Sequence, residues 1–141
     1  MKTQRNIYSI PMGCYKYDKD IQNLQLHEDV IAIGDEAFEG CTNMVSAIIH
    51  NGITTIGKNA FYGCTNLEYV KLSKEIKSIE VSTFAKCPKL KTVIIPDGIY
   101  YIADNAFDGS TEKLTIIGTV GSYAEVYAKK HSIKFMSALS L

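Results

Sequence analysis

The chain has no apolar run of about 18 residues or more, which excludes a membrane-spanning helix as far as hydropathy can and predicts a soluble protein. Neither sign of charge dominates: 15 Lys and Arg stand against 15 Asp and Glu. With no overall field to draw it onto nucleic acid or an anionic membrane, the chain must recognise partners through local surface chemistry. Its 4 cysteines include no pair at the spacing of about two to four residues that a zinc site usually wants. No glycine-rich phosphate loop follows a strand and opens a helix. At the N-terminus, Lys2 and Arg5 precede a stretch broken by Ser9, Pro11 and Gly13, so the apolar region of about 7–15 residues that marks a secretory signal is missing. The expectation is a protein that stays in the cytoplasm or one whose export signal has been removed. Without an apolar run before it, Cys14 is a poor lipidation site.

What the sequence does contain is a repeat. Phe38, Phe61, Phe84 and Phe107 recur at a constant 23-residue interval, and Ile33, Ile56, Ile79 and Ile102 keep the same spacing. Ala37, Ala60 and Ala106 precede the phenylalanines, with Thr83 as the exception, and Cys41, Cys64 and Cys87 follow them, with Ser110 in the fourth copy. Val30, Ile53, Ile76 and Ile99 make a further column. Between these motifs lie runs of period-two alternation, such as Leu67, Val70 and Leu72, or Leu90, Val93 and Ile95, which read as strands with one buried face. The equivalent run at Leu114 and Ile116 fits this pattern only with two residues deleted before it.

The Ala-Phe segment is too short for an independent helix, and Gly57 and Gly63 bracket it as turn residues. It reads as a short strand followed by a bend or helical turn. One coil then carries a parallel strand on one side and this segment returning on the other, with coils stacked at about 4.8 Å. The ends differ. Ser122 and Glu125 form a capping-box pattern, so a helix is expected from Ser122 to about His131, with Ile133 and Phe135 alternating afterwards as a last strand. This cap would cover an edge otherwise open to strand addition. Residues 1–20 match no repeat and are expected to cover the opposite edge or remain partly loose. The organisation predicted is a terminal segment at 1–20, repeats at 21–118 and a helix-strand cap at 119–141.

Units such as Ile33-Gly34-Asp35-Glu36-Ala37-Phe38-Glu39-Gly40-Cys41, and Gly57-Lys58-Asn59-Ala60-Phe61-Tyr62-Gly63-Cys64-Thr65-Asn66-Leu67, resemble the BspA-like leucine-rich repeats in interval, residue type and order. The resemblance runs from about Ile21 to Phe135. It implies an α/β-type solenoid, mostly β: a right-handed leucine-rich-repeat stack with a parallel sheet and a C-terminal helix-strand cap. It also implies a cell-surface or secreted setting and a role in adhesion or protein binding, with no catalytic residues to carry over.

Cys41, Cys64 and Cys87 would stack on successive coils, where packing asks for a small inward residue, and they are read as buried free thiols acting as small hydrophobes. His27 and His50 share a column, and with Glu28 could present two imidazoles to a transition metal; the reading preferred is a pair of exposed turn residues. His131 ends the cap helix, where a cation suits the dipole. Asp35, Glu36, Asp97 and Asp104 fall in solvated turns, which argues against acid/base or calcium chemistry.

The outward strand face is more informative. Alternation places Asn23, Ser46, Tyr69 and Thr92 in one column and Gln25, Ile48, Lys71, Ile94 and Thr115 in the next. The candidate binding site is therefore Ser46, Ile48, Tyr69, Lys71, Thr92 and Ile94, a cluster of the kind that marks interaction surfaces. The function expected is a non-enzymatic interaction or adhesion module. It would bind a protein (a host or matrix protein) or a glycan, act as a monomer, and use no cofactor, metal, nucleic acid or membrane insertion. The alternatives are a structural spacer without a specific ligand and, third, an enzyme, which would need a pocket deeper than a stacked surface offers.

Overall fold

A computed structural model of the chain describes residues 7–140, so residues 1–6 of the terminal segment and residue 141 lie outside it. The strands of the outer face are β2 (Asn23–Gln25), β4 (Ser46–Ile48), β6 (Tyr69–Lys71), β8 (Thr92–Ile94), β10 (Thr115–Gly118) and β11 (Lys134–Ser137). They form one 6-stranded parallel sheet in that spatial order. The returning half of each coil carries β1 (Tyr8–Ile10), β3 (Val30–Ile33), β5 (Thr55–Ile56), β7 (Ser78–Ile79) and β9 (Tyr101–Ile102), also parallel and divided between β5 and β7. Helix α1 (Tyr123–Lys130) precedes β11. Every strand is short because each coil must turn three times within a single repeat.

The Ala-Phe segment forms a third stacked line. Alternate amides along each turn point at the next coil: Glu36 N–H donates to the Lys58 carbonyl (2.9 Å), Phe38 to Ala60 (2.8 Å) and Gly40 to Tyr62 (2.8 Å). The intervening amides bond within the turn, as Ala37 does to Gly34 at 3.2 Å. This alternation comes with positive φ at a first place in three of these coils, Glu36 (57°), Asn59 (59°) and Ser82 (54°), and at a second place in all four, Gly40 (70°), Gly63 (71°), Lys86 (58°) and Gly109 (76°). The second place is where glycine recurs, because only glycine adopts that conformation without a Cβ penalty.

Gly57 has a different reason. Its φ is ordinary, but a Cβ there would come within 2.7 Å of the Asp35 Cα, so the residue is small because two backbones touch. Reading Gly57 and Gly63 alike as turn glycines joins two separate constraints.

The core is a single apolar column. Phe38, Phe61, Phe84 and Phe107 are all buried to 1% exposure or less, and their rings stack with centroids 5.4, 5.4 and 5.5 Å apart and interplanar angles of 10–15°. The pile extends further than the four repeats. Tyr15 stacks on Phe38 at 5.4 Å and 4°, and Tyr127 closes the other end at 6.1 Å from Phe107.

Residues 8–18 thus differ from their reading as non-repetitive sequence. Ile10 pairs with Ile33, and Tyr15 occupies the phenylalanine column one repeat before Phe38. Gly13 (65°) and Tyr17 (64°) repeat the two positive-φ places, and their amides donate to Asp35 (2.9 Å) and Glu39 (2.8 Å). A register shift between Tyr8 and Ser9, and Pro11 where the next coil has Gly34, hide this coil from a column search.

The C-terminal end follows the capping chemistry. The Ser122 side chain accepts from the Glu125 amide (3.4 Å), a donor that the first helical turn leaves open, and the Glu125 carboxylate accepts from the Gly121 amide (2.9 Å) just before the helix. The register of β10 departs from expectation. Thr115 pairs with Thr92, Ile116 with Val93 and Ile117 with Ile94, so the repeat interval holds with no deletion. The conflict arises because Leu114 sits one position later than the column of Leu67 and Leu90 would place it, although no residue is gained or lost: Phe107 follows Phe84, and Ile116 follows Val93, by the same 23 residues.

Candidate binding face

The six candidate residues meet on the outer sheet. Ser46, Tyr69 and Thr92 are in-register partners on β4, β6 and β8, as are Ile48, Lys71 and Ile94. Lys71 is exposed and the other five are half-buried. The corrected register moves Thr115 from the isoleucine column into the Tyr69 column and brings Ile117 next to Ile94, with Met136 beyond it on β11. Sequence reasoning missed Ile117 and Met136. The signal was available, since Ile117 follows Ile94 by one repeat and Met136 is the next same-face position after Lys134 on a strand of the expected alternation.

The completed stripe runs Ile48, Lys71, Ile94, Ile117, Met136, about 19 Å across four strand spacings of about 4.8 Å. Ile117 is only 7% exposed, whereas Met136 is 38% exposed. At the carboxyl end of these strands lies a groove of about 230 Å³, whose walls include Lys71, Lys74, Ile94, Asp97, Thr119 and Ala138. Asp97 accepts a hydrogen bond from the Thr119 hydroxyl across its mouth.

The other candidates are tied up by bonds within and between coils. His50 Nδ1 accepts from the Gly52 amide (3.0 Å), which leaves Nε2 to donate to the His27 carbonyl (2.9 Å), and His27 Nδ1 accepts from the Asp29 amide (3.1 Å). Among the described residues no group of three or more His, Cys, Asp or Glu is placed to hold a metal ion. Asp35 accepts from the Lys58 amide (2.8 Å), and Lys16 sits 2.8 Å from Glu36 and 3.5 Å from Glu39, fastening the first coil to the second. The Lys16 hydrogen bond lowers the Glu36 pKa, while burial raises that of Glu39. Asp104 lies 3.2 Å from Lys130, whose hydrogen bond lowers its pKa, and 3.4 Å from His131, which also stacks on Tyr127 at 4.1 Å. These carboxylates staple coils together.

Cys41, Cys64 and Cys87 are buried and unpaired with one another, but they are more than small hydrophobes. Each thiol donates to the carbonyl of the aromatic residue one coil back: Cys41 to Tyr15 (3.2 Å), Cys64 to Phe38 (3.2 Å) and Cys87 to Phe61 (3.3 Å). Ser110 makes the same bond to Phe84 at 2.6 Å, which explains the substitution in the fourth copy. The position calls for a small donor, a need that the sequence does not display. Thr83, the exception in the alanine column, likewise places its hydroxyl on the Glu80 carbonyl at 3.0 Å. Burial raises the pKa of all three thiols, to about 11 for Cys41 and about 12 for Cys87. At pH 8 the native protein should therefore react with a thiol reagent at Cys14, the one exposed cysteine, with the remaining three appearing only in denaturant. Rapid modification of Cys64 in native protein would contradict this burial.

No helix among the described residues is long and apolar enough to cross a membrane. A search of curated proteins gave no match. Among solved structures, the chain is similar to a leucine rich cell surface protein from Faecalibacterium prausnitzii (25% identity, TM-score 0.70, covering 82% of this chain and 32% of that one). It is also similar to a leucine-rich repeat protein from Bacteroides ovatus (27% identity, TM-score 0.59, 83% and 33%). The pneumococcal vaccine antigen PcpA shares the fold (21% identity, TM-score 0.58, 66% and 23%). The chain thus spans about a third or less of the length of these structures. The family model for the BspA type leucine rich repeat region matches residues 3–130 in 6 copies, and with the columns, coils and capped stack described above, the chain belongs to the BspA-type leucine-rich repeat family.

Proposed function

We propose that this chain is a non-enzymatic protein-interaction module, displayed at a cell surface, which binds its partner on the outer sheet through Ser46, Ile48, Tyr69, Lys71, Thr92 and Ile94. The observation that carries the reading is the in-register grouping of a tyrosine, a lysine and two isoleucines on three adjacent strands of one continuous parallel sheet. Tyrosine supplies large contact area at low entropic cost, and exposed apolar residues gathered in one place are the usual mark of an interface. The similarity to a leucine rich cell surface protein supports the location.

A photo-activatable cross-linker placed at Tyr69 should capture a partner protein, whereas the same group at Thr55, on the returning strand, should not. The double variant Tyr69→Ala with Lys71→Ala should lose that capture with a nearly unchanged melting temperature, since both side chains point away from the core. Retention of the partner by the double variant rejects the site.

A further inference from the structure

The charges of this electrically balanced chain are not evenly spread over its faces. The outward positions of the outer sheet are Asn23, Gln25, Ser46, Ile48, Tyr69, Lys71, Thr92, Ile94, Thr115, Ile117, Lys134 and Met136, which include two lysines and no carboxylate. At the amino end of the strands Lys91 lies 2.8 Å from Glu68, and Lys89 and Lys113 also help to lower the Glu68 pKa, while Asp20 and Glu112 occupy the Lys89 position in other coils, so that rim carries both signs. At the carboxyl end the turns carry Glu28, Asp29, Glu75 and Asp97 beside Lys74, and Asp97 is engaged by Thr119. Asp35, Glu36, Glu39, Asp104 and Asp108 instead belong to the Ala-Phe turns, on a different line of the stack. Lys71 forms no salt bridge with any described residue.

Resting on the binding face just proposed, we infer that the partner presents an acidic segment in which a carboxylate is flanked by apolar side chains. The order of the stripe carries this inference. Lys71 stands between Ile48 and Ile94 at strand spacing, with Ile117 and Met136 continuing on one side. A carboxylate opposite Lys71 gains a charge-assisted bond, and its apolar neighbours cover the isoleucines, excluding water and strengthening that bond. A sulfated glycan or a nucleic acid would satisfy the lysines but leave the isoleucines uncovered, so the surface fits a protein segment better. Tyr69 and Thr92 alongside supply hydroxyls for the segment's backbone.

The test is to pan phage-displayed random peptides against the whole chain. Enriched peptides should carry Asp or Glu next to, or next but one from, Leu, Ile, Val or Phe. An enriched peptide should bind the Lys71→Glu variant at least about tenfold more weakly, and replacing its acidic residue with Lys should restore binding to that variant. Enrichment of acid-free peptides that still require Tyr69 and Ile94 would overturn the acidic chemistry and leave the face standing. Peptides indifferent to Tyr69→Ala, Ile94→Ser and Lys71→Glu would overturn both readings, as would the absence of any enrichment over the Tyr69→Ala, Lys71→Ala double variant. Binding of a heparin oligosaccharide that is lost in Lys71→Glu but retained in Ile94→Ser would assign the face to polyanions and reject the inference.

Discussion

Replacing Phe61 with alanine should destabilise the protein by about 3–5 kcal/mol. The ring is wholly buried and sandwiched between Phe38 and Phe84, each centroid 5.4 Å away. Removing it discards both stacking contacts and leaves a void that the neighbours cannot close. The coil spacing around it is fixed by main-chain bonds, Phe38 N–H to the Ala60 carbonyl at 2.8 Å and Phe61 N–H to the Thr83 carbonyl at 2.9 Å. A cavity that cannot collapse retains its full cost. Tyr15→Ala is the internal comparison, because Tyr15 is 39% exposed and has a ring neighbour on one side, so it should lose much less. Urea denaturation of the two variants beside the parent chain measures the difference. A loss below about 1 kcal/mol for Phe61→Ala would mean that the pile is not what holds the coils together.

The second large effect is expected at Gly57→Ala. A single added methyl group would meet the Asp35 amide nitrogen and would lie 2.7 Å from the Asp35 Cα, so backbone rather than a flexible side chain has to move. Moving it strains the bond from the Lys58 amide to the Asp35 carboxylate (2.8 Å) and that from the Gly57 amide to the Ile33 carbonyl (2.8 Å). The cost should exceed about 2 kcal/mol, placing it among the diagnostic substitutions rather than the ordinary ones. Gly63→Ala separates the two glycine roles. Nothing lies within 4 Å of a Cβ at Gly63, whose φ is +71°, so its cost should be limited to the conformational penalty of about 1–2 kcal/mol. Equal effects at the two positions in thermal or chemical denaturation would refute the contact explanation for Gly57.

These glycines illustrate how far the sequence can be read. The constant repeat interval determines register, the identity of the core and the stacking of the phenylalanines, because side chains at one repeat position in a parallel stack lie beside one another. It also brought the six surface residues together, since alternation and interval jointly define a point on the sheet. It failed where a column is kept by shape but changed in letter. Tyr15 serves as phenylalanine, Pro11 stands in the Gly34 column and Asp18 in the Cys41 column, so the first coil looked like unrelated sequence. It failed again where a core leucine moved by one position within an unchanged interval: aligning Leu114 as a core residue of the strand shifted β10 and concealed Ile117. The thiol column was placed correctly, but its chemistry was missed, because a carbonyl awaiting a donor leaves no mark on the sequence. Ser110 was the available hint, being a residue that donates as cysteine does and fits the same space.

The three lines of backbone bonding all run from coil to coil, none of them around a coil. If the two ends of the stack were pulled apart, the bonds joining one coil to the next would bear the load together, but successive junctions would bear it in series. The junction where the returning strands are divided between β5 and β7 should yield first and then pass the tension to the next. Each winding released pays out about 80 Å of thread, one repeat of chain at about 3.5 Å per residue. Tethered at a surface, such a spool would lengthen stepwise under shear while its remaining windings kept their shape.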